Sequence, residues 1–385
     1  MDEMNQRSAD DIALVIDEFQ RALPYRERPY SSRAWGHKLH SLCSYQGKMK
    51  PSIAHWLVRS FTDPGDLVVD PLAGVGTIPL EAALLGRRSI ANDLSPLAAT
   101  VAGAKINPPS LDEALGALEK IECAIGEARL TDSDIESASF GLNASVRDYY
   151  HEDTLREILC ARQVFTNGSL RDSASDFVWA SMLHVLHGNR PYALSRTSHP
   201  ITPFSPKGPF AYKSVIDKTK ARIQRALAHP LPEDFISGTA FEGSFADLPT
   251  NVQRGAAAAI ITSPPFLGMR FDRPNWLRLW FCGWSAEDFH TTSLRFLERQ
   301  QNRSLDPYQA LVDTSDHLLR RGGLFIVHIG SSRKDRLVDG IRAIAKSKFR
   351  LVGEVTESVT ELENHGLPDK GNRTDQHHLL FFQAI

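Results

Sequence analysis

The 27 residues from Leu67 to Asp93, LVVDPLAGVGTIPLEAALLGRRSIAND, restrict the fold more than any other part of this chain. LVVD (67–70) is short and apolar and follows a turn signal at DPGD (63–66), so it reads as a buried strand. LEAALLG (80–86) reads as a helix closed by Gly86, and RSIAND (88–93) as a second strand. Strand, glycine turn, helix and strand in so short a span make a βαβ unit. Such a unit implies a parallel sheet.

The other strand signals lie toward the C-terminus: AAAAIIT (256–262), GGLFIVHIG (322–330), FRLVGEVTESV (349–359) and HHLLFFQAI (377–385). The last two read as an antiparallel closing pair. ADDIALVIDEFQRAL (9–23) and KPSIAHWLVRSF (50–61) have helical spacing, and Pro51 suits a first helical turn. From about 107 to 235 the pattern is helical, broken by a Pro-rich loop at 187–213. The simplest architecture is one mostly parallel α/β sheet, closed by an antiparallel strand and interrupted by a mainly helical insertion. The expected division is 1–39, an N-terminal helical segment; 40–106 with 236–385, the sheet core; and 107–235, the insertion.

Composition narrows the class only a little. The 385 residues are 42% hydrophobic, ordinary for a chain with a sizeable core. The formal charge is −2, so any basic footprint must be local. Cys43, Cys123, Cys160 and Cys282 lack metal or redox spacing, which suits a reducing compartment. The acidic N-terminus is unlike a signal peptide, and no apolar run approaches a membrane span. The expectation is a cytoplasmic protein with no membrane partner and no metal.

Two loops carry chemistry. After LVVD, Gly74 and Gly76 form a tight turn that lets a ligand approach the backbone. The following strand ends in Asp93, whose carboxylate can accept hydrogen bonds from the hydroxyls of a ribose. The dinucleotide pattern is absent, because Pro79 stands where a third glycine belongs. After AAAAIIT comes Ser263-Pro264-Pro265-Phe266. Two prolines fix φ twice and remove two N–H donors, so this loop is stiff and its acceptors are fixed in place.

DPLAGVGTIPLEAALLGRRSIANDLSPLA (70–98) resembles motif I and the motif II acid of the S-adenosylmethionine-dependent amino methyltransferases. TSPPF (262–266) resembles the TSPPY motif of the DNA cytosine-N4 members, and GKMKPSIAHWLV (47–58) resembles their motif X helix. The resemblance covers roughly 40–106 and 236–385. It implies a Rossmann-like class I methyltransferase sheet. It also implies that S-adenosylmethionine is the cofactor. Asp70, Ala73, Gly74, Gly76 and Thr77 would then line its methionine part, and Thr262 would also contact the cofactor. Asp93 would hold the ribose, Leu94 and Ser244 would meet the adenine, and Lys50 and Pro51 would cap it. Three positions depart from the pattern: Leu72 replaces a Phe, Ala258 an acid before the loop, and Ser244 an acid near the adenine, with Asp247 three residues on.

By the same resemblance, Ser263, Pro264, Pro265 and Phe266 would be catalytic. The lone pair of an exocyclic amine is delocalised into the base. A hydroxyl and a backbone carbonyl that accept its two N–H bonds would turn that pair toward a methyl donor. Ser263 Oγ and the Pro264 carbonyl are the natural pair, and Phe266 is placed to stack a flipped-out base. The implied activity is methylation of cytosine N4 in DNA, with a restriction endonuclease as a further partner. The alternatives are adenine-N6 methylation, RNA methylation and a non-catalytic DNA-binding regulator.

The stretch 187–226 holds Arg190, Arg196, Lys207, Lys213, Lys218, Lys220, Arg222 and Arg225 against one acid, Asp217. Tyr192, Phe204, Phe210 and Tyr212 are interleaved with them. This pattern suits phosphate contacts. Arg190, Arg196, Lys207, Lys213 and, beyond the SPP loop, Arg270 are the expected DNA contacts. Trp276, Trp280 and Trp284, at four-residue spacing, read as a core stripe.

Overall fold

The structure, a computed structural model, describes residues 8–32, 34–331, 336–358 and 374–385. Residue 359, the last of the strand expected over 349–359, lies outside them, as do the first seven residues of the acidic N-terminus. Two helices, α1 (Ala9–Ala22) and α2 (Pro51–Phe61), precede β1 (Leu67–Asp70). α3 (Thr77–Leu84), β2 (Arg88–Asp93) and α4 (Pro96–Ile106) follow. Next come α5 (Leu111–Glu127), α6 (Asp132–Ser137), α7 (Glu152–Thr166), α8 (Ser173–Val185) and α9 (Val215–Ala226). The chain then returns through β3 (Thr239–Glu242) and β4 (Ala257–Thr262) to α10 (Trp276–Phe281), α11 (Leu297–Gln300) and α12 (Asp306–Leu318). It closes with β5 (Leu319–Ser331), α13 (Leu337–Ala345), β6 (Phe349–Ser358) and β7 (Gln376–Ala384).

The seven strands form one sheet in the order β3-β2-β1-β4-β5-β7-β6, with only β7 antiparallel to its neighbours. This is a Rossmann-like α/β sheet, the class I methyltransferase arrangement. Both faces are covered, and residues alternate between them with the period of a strand. Val68, Ala259, Ile261 and Ile326 pack with α1 and α2, whereas Val69, Ile260, Phe325 and Val327 pack with α12 and α13. Helices α5, α7, α8 and α9 build a third cluster on α4, joined by the buried Trp276, Trp280 and Trp284.

β1 and β4 are direct neighbours, and β2 lies on the other side of β1. Their C-terminal ends therefore sit side by side. The strand order changes direction at β1–β4, the place where open α/β sheets bind ligands.

Candidate active site

The glycine turn after β1 is held open by its neighbours. Gly74 has φ +51°, and a Cβ there would meet only Tyr45, at 3.8 Å. Gly76 has φ +70°, and its Cβ would collide with Ala102 of α4 at 2.9 Å. Gly74 thus leaves backbone facing open space, and Gly76 lets the turn lie against α4. Asp93 fixes the turn from β2: Oδ2 accepts from Gly74 N–H (2.9 Å) and Oδ1 from Ser95 N–H (2.9 Å). Asp70 Oδ1 accepts from the Thr262 hydroxyl (2.7 Å) and from Leu72 N–H (3.2 Å). This hydroxyl bond ties the end of β1 to the end of β4.

A cavity of about 310 Å³ opens at these strand ends. Asp70, Ala73, Gly74, Thr77, Asp93, Leu94 and Ser244 line it, together with Ser263 and Pro265 of the proline loop. The two halves expected from sequence share one cavity. Burial lifts Asp70 to a pKa of about 7 and Asp93 to about 6, against the hydrogen bonds they accept. Neither carboxylate has an ion-pair partner among the described residues, so a cationic, donor-rich ligand would suit them.

Several expected residues lie off the wall. Lys48 and Met49 line the cavity, while Lys50 caps α2 and Pro51 begins it. Gly76 is spent on packing, and Thr262 is fully buried as the brace of Asp70. Asp247 is exposed on the turn beyond Ser244 and stays clear of the cavity. Pro264 is buried, and Phe266 leans away from the lining. The Phe266 ring stands edge-on to His328 (5.7 Å) and His377 (5.2 Å). Gly330 makes room for it, since a Cβ there would approach the ring to 2.5 Å.

The expected DNA contacts divide. Arg190 and Lys207 are exposed. Lys213 is turned inward: its Nζ donates to the carbonyls of Ala193 and Ser195, both at 2.6 Å. Arg196 donates to Gly208 and Asp148 carbonyls and lies 4.2 Å from the Phe210 ring centre. Arg270 is locked to the buried Asp272. Arg222 of the same basic stretch is buried and donates to the Leu42 carbonyl. For Arg196, Lys213 and Arg270, internal partners take up the donors that phosphate contact would need.

The cavity has walls that sequence reasoning missed. The Tyr45 and Phe271 rings stack at 5.8 Å, closing one side. The fully buried Arg278 anchors that side, donating to the Ser44 carbonyl and hydroxyl (2.7 Å each) and to the Leu183 carbonyl. Glu298 also lines the cavity, and burial raises its pKa to about 7. Behind the proline loop, Ser263 Oγ lies 3.0 Å from His328 Nδ1, and His328 Nε2 lies 3.1 Å from His377 Nδ1. His328 is only 7% exposed, and burial pushes its pKa well down, so the ring is neutral.

Residues 40–135 match the family described as UPF0020, RMKL-like, methyltransferase domain. The match spans the turn after β1, Asp93 and the helices α4 and α5. Residues 40–135 thus resemble a methyltransferase domain. Among curated proteins, the type II methyltransferase M.MjaII of Methanocaldococcus jannaschii is 29% identical over 68 residues, which is 18% of this chain and 13% of that one. Among solved structures, the rRNA methyltransferase aviRa from Streptomyces viridochromogenes overlaps with a TM-score of 0.36 at 11% identity, covering 93% of this chain and 94% of that one. TrmN from Thermus thermophilus gives 0.34 at 12% identity, covering 90% and 52%. Among the described residues, no helix is long and apolar enough to cross a membrane.

Proposed function

We propose that this protein transfers a methyl group from S-adenosylmethionine to the exocyclic amine of a nucleic-acid base, with cytosine N4 in DNA as the first candidate. The observation that carries this reading is the shared cavity: Asp70, Gly74 and Asp93 line it with Ser263 and Pro265. The curated match to a protein named a type II methyltransferase supports methyl transfer.

The residues present fit S-adenosylmethionine. Asp93 has one oxygen on each of two backbone N–H groups and keeps lone pairs for a ribose diol. Gly74 leaves its backbone uncovered. Leu94 gives an apolar surface for a purine, and the two carboxylates, which have no ion-pair partner among the described residues, suit a positively charged ligand. When bound, this cofactor supplies an electrophilic methyl group on a sulfonium. Ser263, at the mouth of β4, accepts an N–H bond from the target amine. The motif resemblance gives the Pro264 carbonyl as the second acceptor, although Pro264 itself is buried and outside the cavity lining. The amine nitrogen is thereby drawn toward a tetrahedral shape, its lone pair leaves conjugation with the ring and faces the methyl donor, and positive charge growing on nitrogen meets fixed acceptors.

A nucleic-acid surface is proposed on the loop over 187–213. Phe204, Phe210 and Tyr212 each expose about half of their surface (53%, 52% and 53%), and Arg190 and Lys207 are exposed on the same loop. The Pro203 carbonyl accepts from Tyr149 and from Trp276, so the loop is anchored to the helix following the proline loop. Exposed aromatic rings and exposed cations on one loop suit stacked bases and phosphates.

Mass spectrometry of nucleosides from DNA and RNA of an expressing host tests the reading. The expected result is N4-methylcytosine in DNA. N6-methyladenine in DNA would move the target. A methylated base confined to RNA would move the substrate. No methylated base in either would contradict the proposal.

A further inference from the structure

The Ser263 hydroxyl has one proton, and its direction decides what the hydroxyl can do in the cavity. If the proton points inward, Ser263 offers a donor and suits a carbonyl or ring nitrogen. If it points outward, both lone pairs face inward and suit an amine. The outward partner is His328 Nδ1, at 3.0 Å. The other ring nitrogen of His328 faces His377 Nδ1, at 3.1 Å. A proton can lie between those two imidazoles in only two ways. Carried by His328 Nε2, it leaves Nδ1 bare to accept from Ser263. Carried by His377 Nδ1, it puts the remaining proton of neutral His328 on Nδ1, which then donates to Ser263.

We propose that His328 and His377 are positioning residues that set the Ser263 hydroxyl as an acceptor toward the cavity: Ser263 donates to His328 Nδ1, and His328 Nε2–H donates to His377 Nδ1. The proposal rests on the reading that the target is an amine, which brings only N–H donors to Ser263. The geometry supports a fixed chain. β5 and β7 pair in the register Gly330↔His377 and Ile329↔His378, so the two imidazoles are held by the sheet itself. Their centroids are 5.1 Å apart, and the Phe266 ring packs edge-on against both. The titratable group behind them is His378, which is engaged elsewhere, with Ser331 (2.8 Å) and Glu354 (2.9 Å). Burial and the neighbouring imidazoles hold His328 neutral, the state in which one ring nitrogen can accept. Phe266 thus acts as the brace of this chain, which accounts for its turning away from the cavity.

The chain is tested by nitrogen NMR on histidine-labelled native protein and by kinetics. The expected spectrum has His328 unprotonated at Nδ1 and protonated at Nε2 at pH 7.5, with the Nδ1 signal moving in Ser263→Ala. In single-turnover methyl transfer, His328→Leu should cost roughly tenfold to a hundredfold with S-adenosylmethionine affinity unchanged. His328→Asn, whose side-chain oxygen can replace Nδ1 as the acceptor, should restore most of the rate. Against a Ser263→Ala background, His328→Leu should cost nothing more, because the two act as one unit. A proton found on His328 Nδ1 would overturn the proposal. So would an equal loss from His328→Leu with and without Ser263. If the imidazole signals are as expected but the native protein methylates no base, the functional reading falls and the chain itself stands.

Discussion

Two loops leave the same edge of the sheet, one after β1 and one after β4, and they meet opposite demands. The first uses glycine at 74 and 76, both at positive φ: Gly74 gives openness toward a ligand and Gly76 lets the turn lie against α4. The second uses proline at 264 and 265 and gains stiffness around two acceptors. The glycine turn is completed by its own βαβ unit, through Asp93 at the end of β2. The proline loop is completed from far away: His328 is 65 positions beyond Ser263, and His377 another 49. A loop that cradles a ligand can be built locally. A loop that must fix the direction of one proton draws on partners from other strands.

Ser263→Ala should break the comparison on the β4 side, with the largest effect. On the proposed reading the hydroxyl acts on the target amine, so turnover should fall by about 10²–10³. Single-turnover methyl transfer to DNA measures this. An unchanged rate would remove the proline loop from the chemistry.

Acidity should act on the β1 side. Asp70 and Asp93 have raised pKa values, about 7 and 6, because burial disfavours their charge. A cationic ligand needs them ionised. Affinity for S-adenosylmethionine should fall between pH 8 and 5.5, by at most about tenfold per pH unit for each proton taken up. Stability of the ligand-free protein should run the other way. A carboxyl with a raised folded pKa stabilises the fold when protonated, and that contribution is lost as pH rises through about 6 to 7. Calorimetric titration and thermal melts over this range check both signs. Affinity that rises on acidification would argue against a cationic ligand at these carboxylates.

The basic loop should show a smaller, additive effect. Arg190→Ala and Lys207→Ala should each flatten the salt dependence of DNA binding by about 0.9 in the log–log slope. Lys213→Ala should leave that slope alone and lower stability instead, because its ammonium already serves two carbonyls. Binding over a salt series separates the two outcomes.

The two glycines should also differ in stability. Gly74→Ala should cost roughly 1–2 kcal/mol, the penalty of a left-handed conformation. Gly76→Ala should add roughly 1–3 kcal/mol, because Ala102 must move. Urea unfolding of both variants compares them. Equal costs would mean that α4 yields without resistance.

What the sequence made readable follows the same division. Asp70, Gly74 and Asp93 stand out because strand ends and glycine turns carry local signals, and all three lie within one βαβ unit. The proline loop is conspicuous, but its direction is hidden. Phe266 looks like a stacking platform until Gly330, 64 residues later in the chain, is seen to take the ring in. His377 and His378 read as ordinary strand residues because their role depends on the β5–β7 register. Charge in 187–226 is plain in composition, yet composition does not say which cations turn inward, as Lys213 and Arg222 do. Glu298 sits on a four-residue helix with no periodic signal to mark it.

The central claim is that the glycine turn holds the cofactor and the proline loop does not. Calorimetric titration of S-adenosylmethionine into the native protein, Asp93→Ala and Ser263→Ala tests this most directly. The account predicts one site per chain in the native protein. Asp93→Ala should weaken affinity roughly tenfold to a hundredfold, the loss of a charged hydrogen-bond acceptor. Ser263→Ala should bind as the native protein does. Unchanged affinity in Asp93→Ala, or an equal loss in Ser263→Ala, would contradict it.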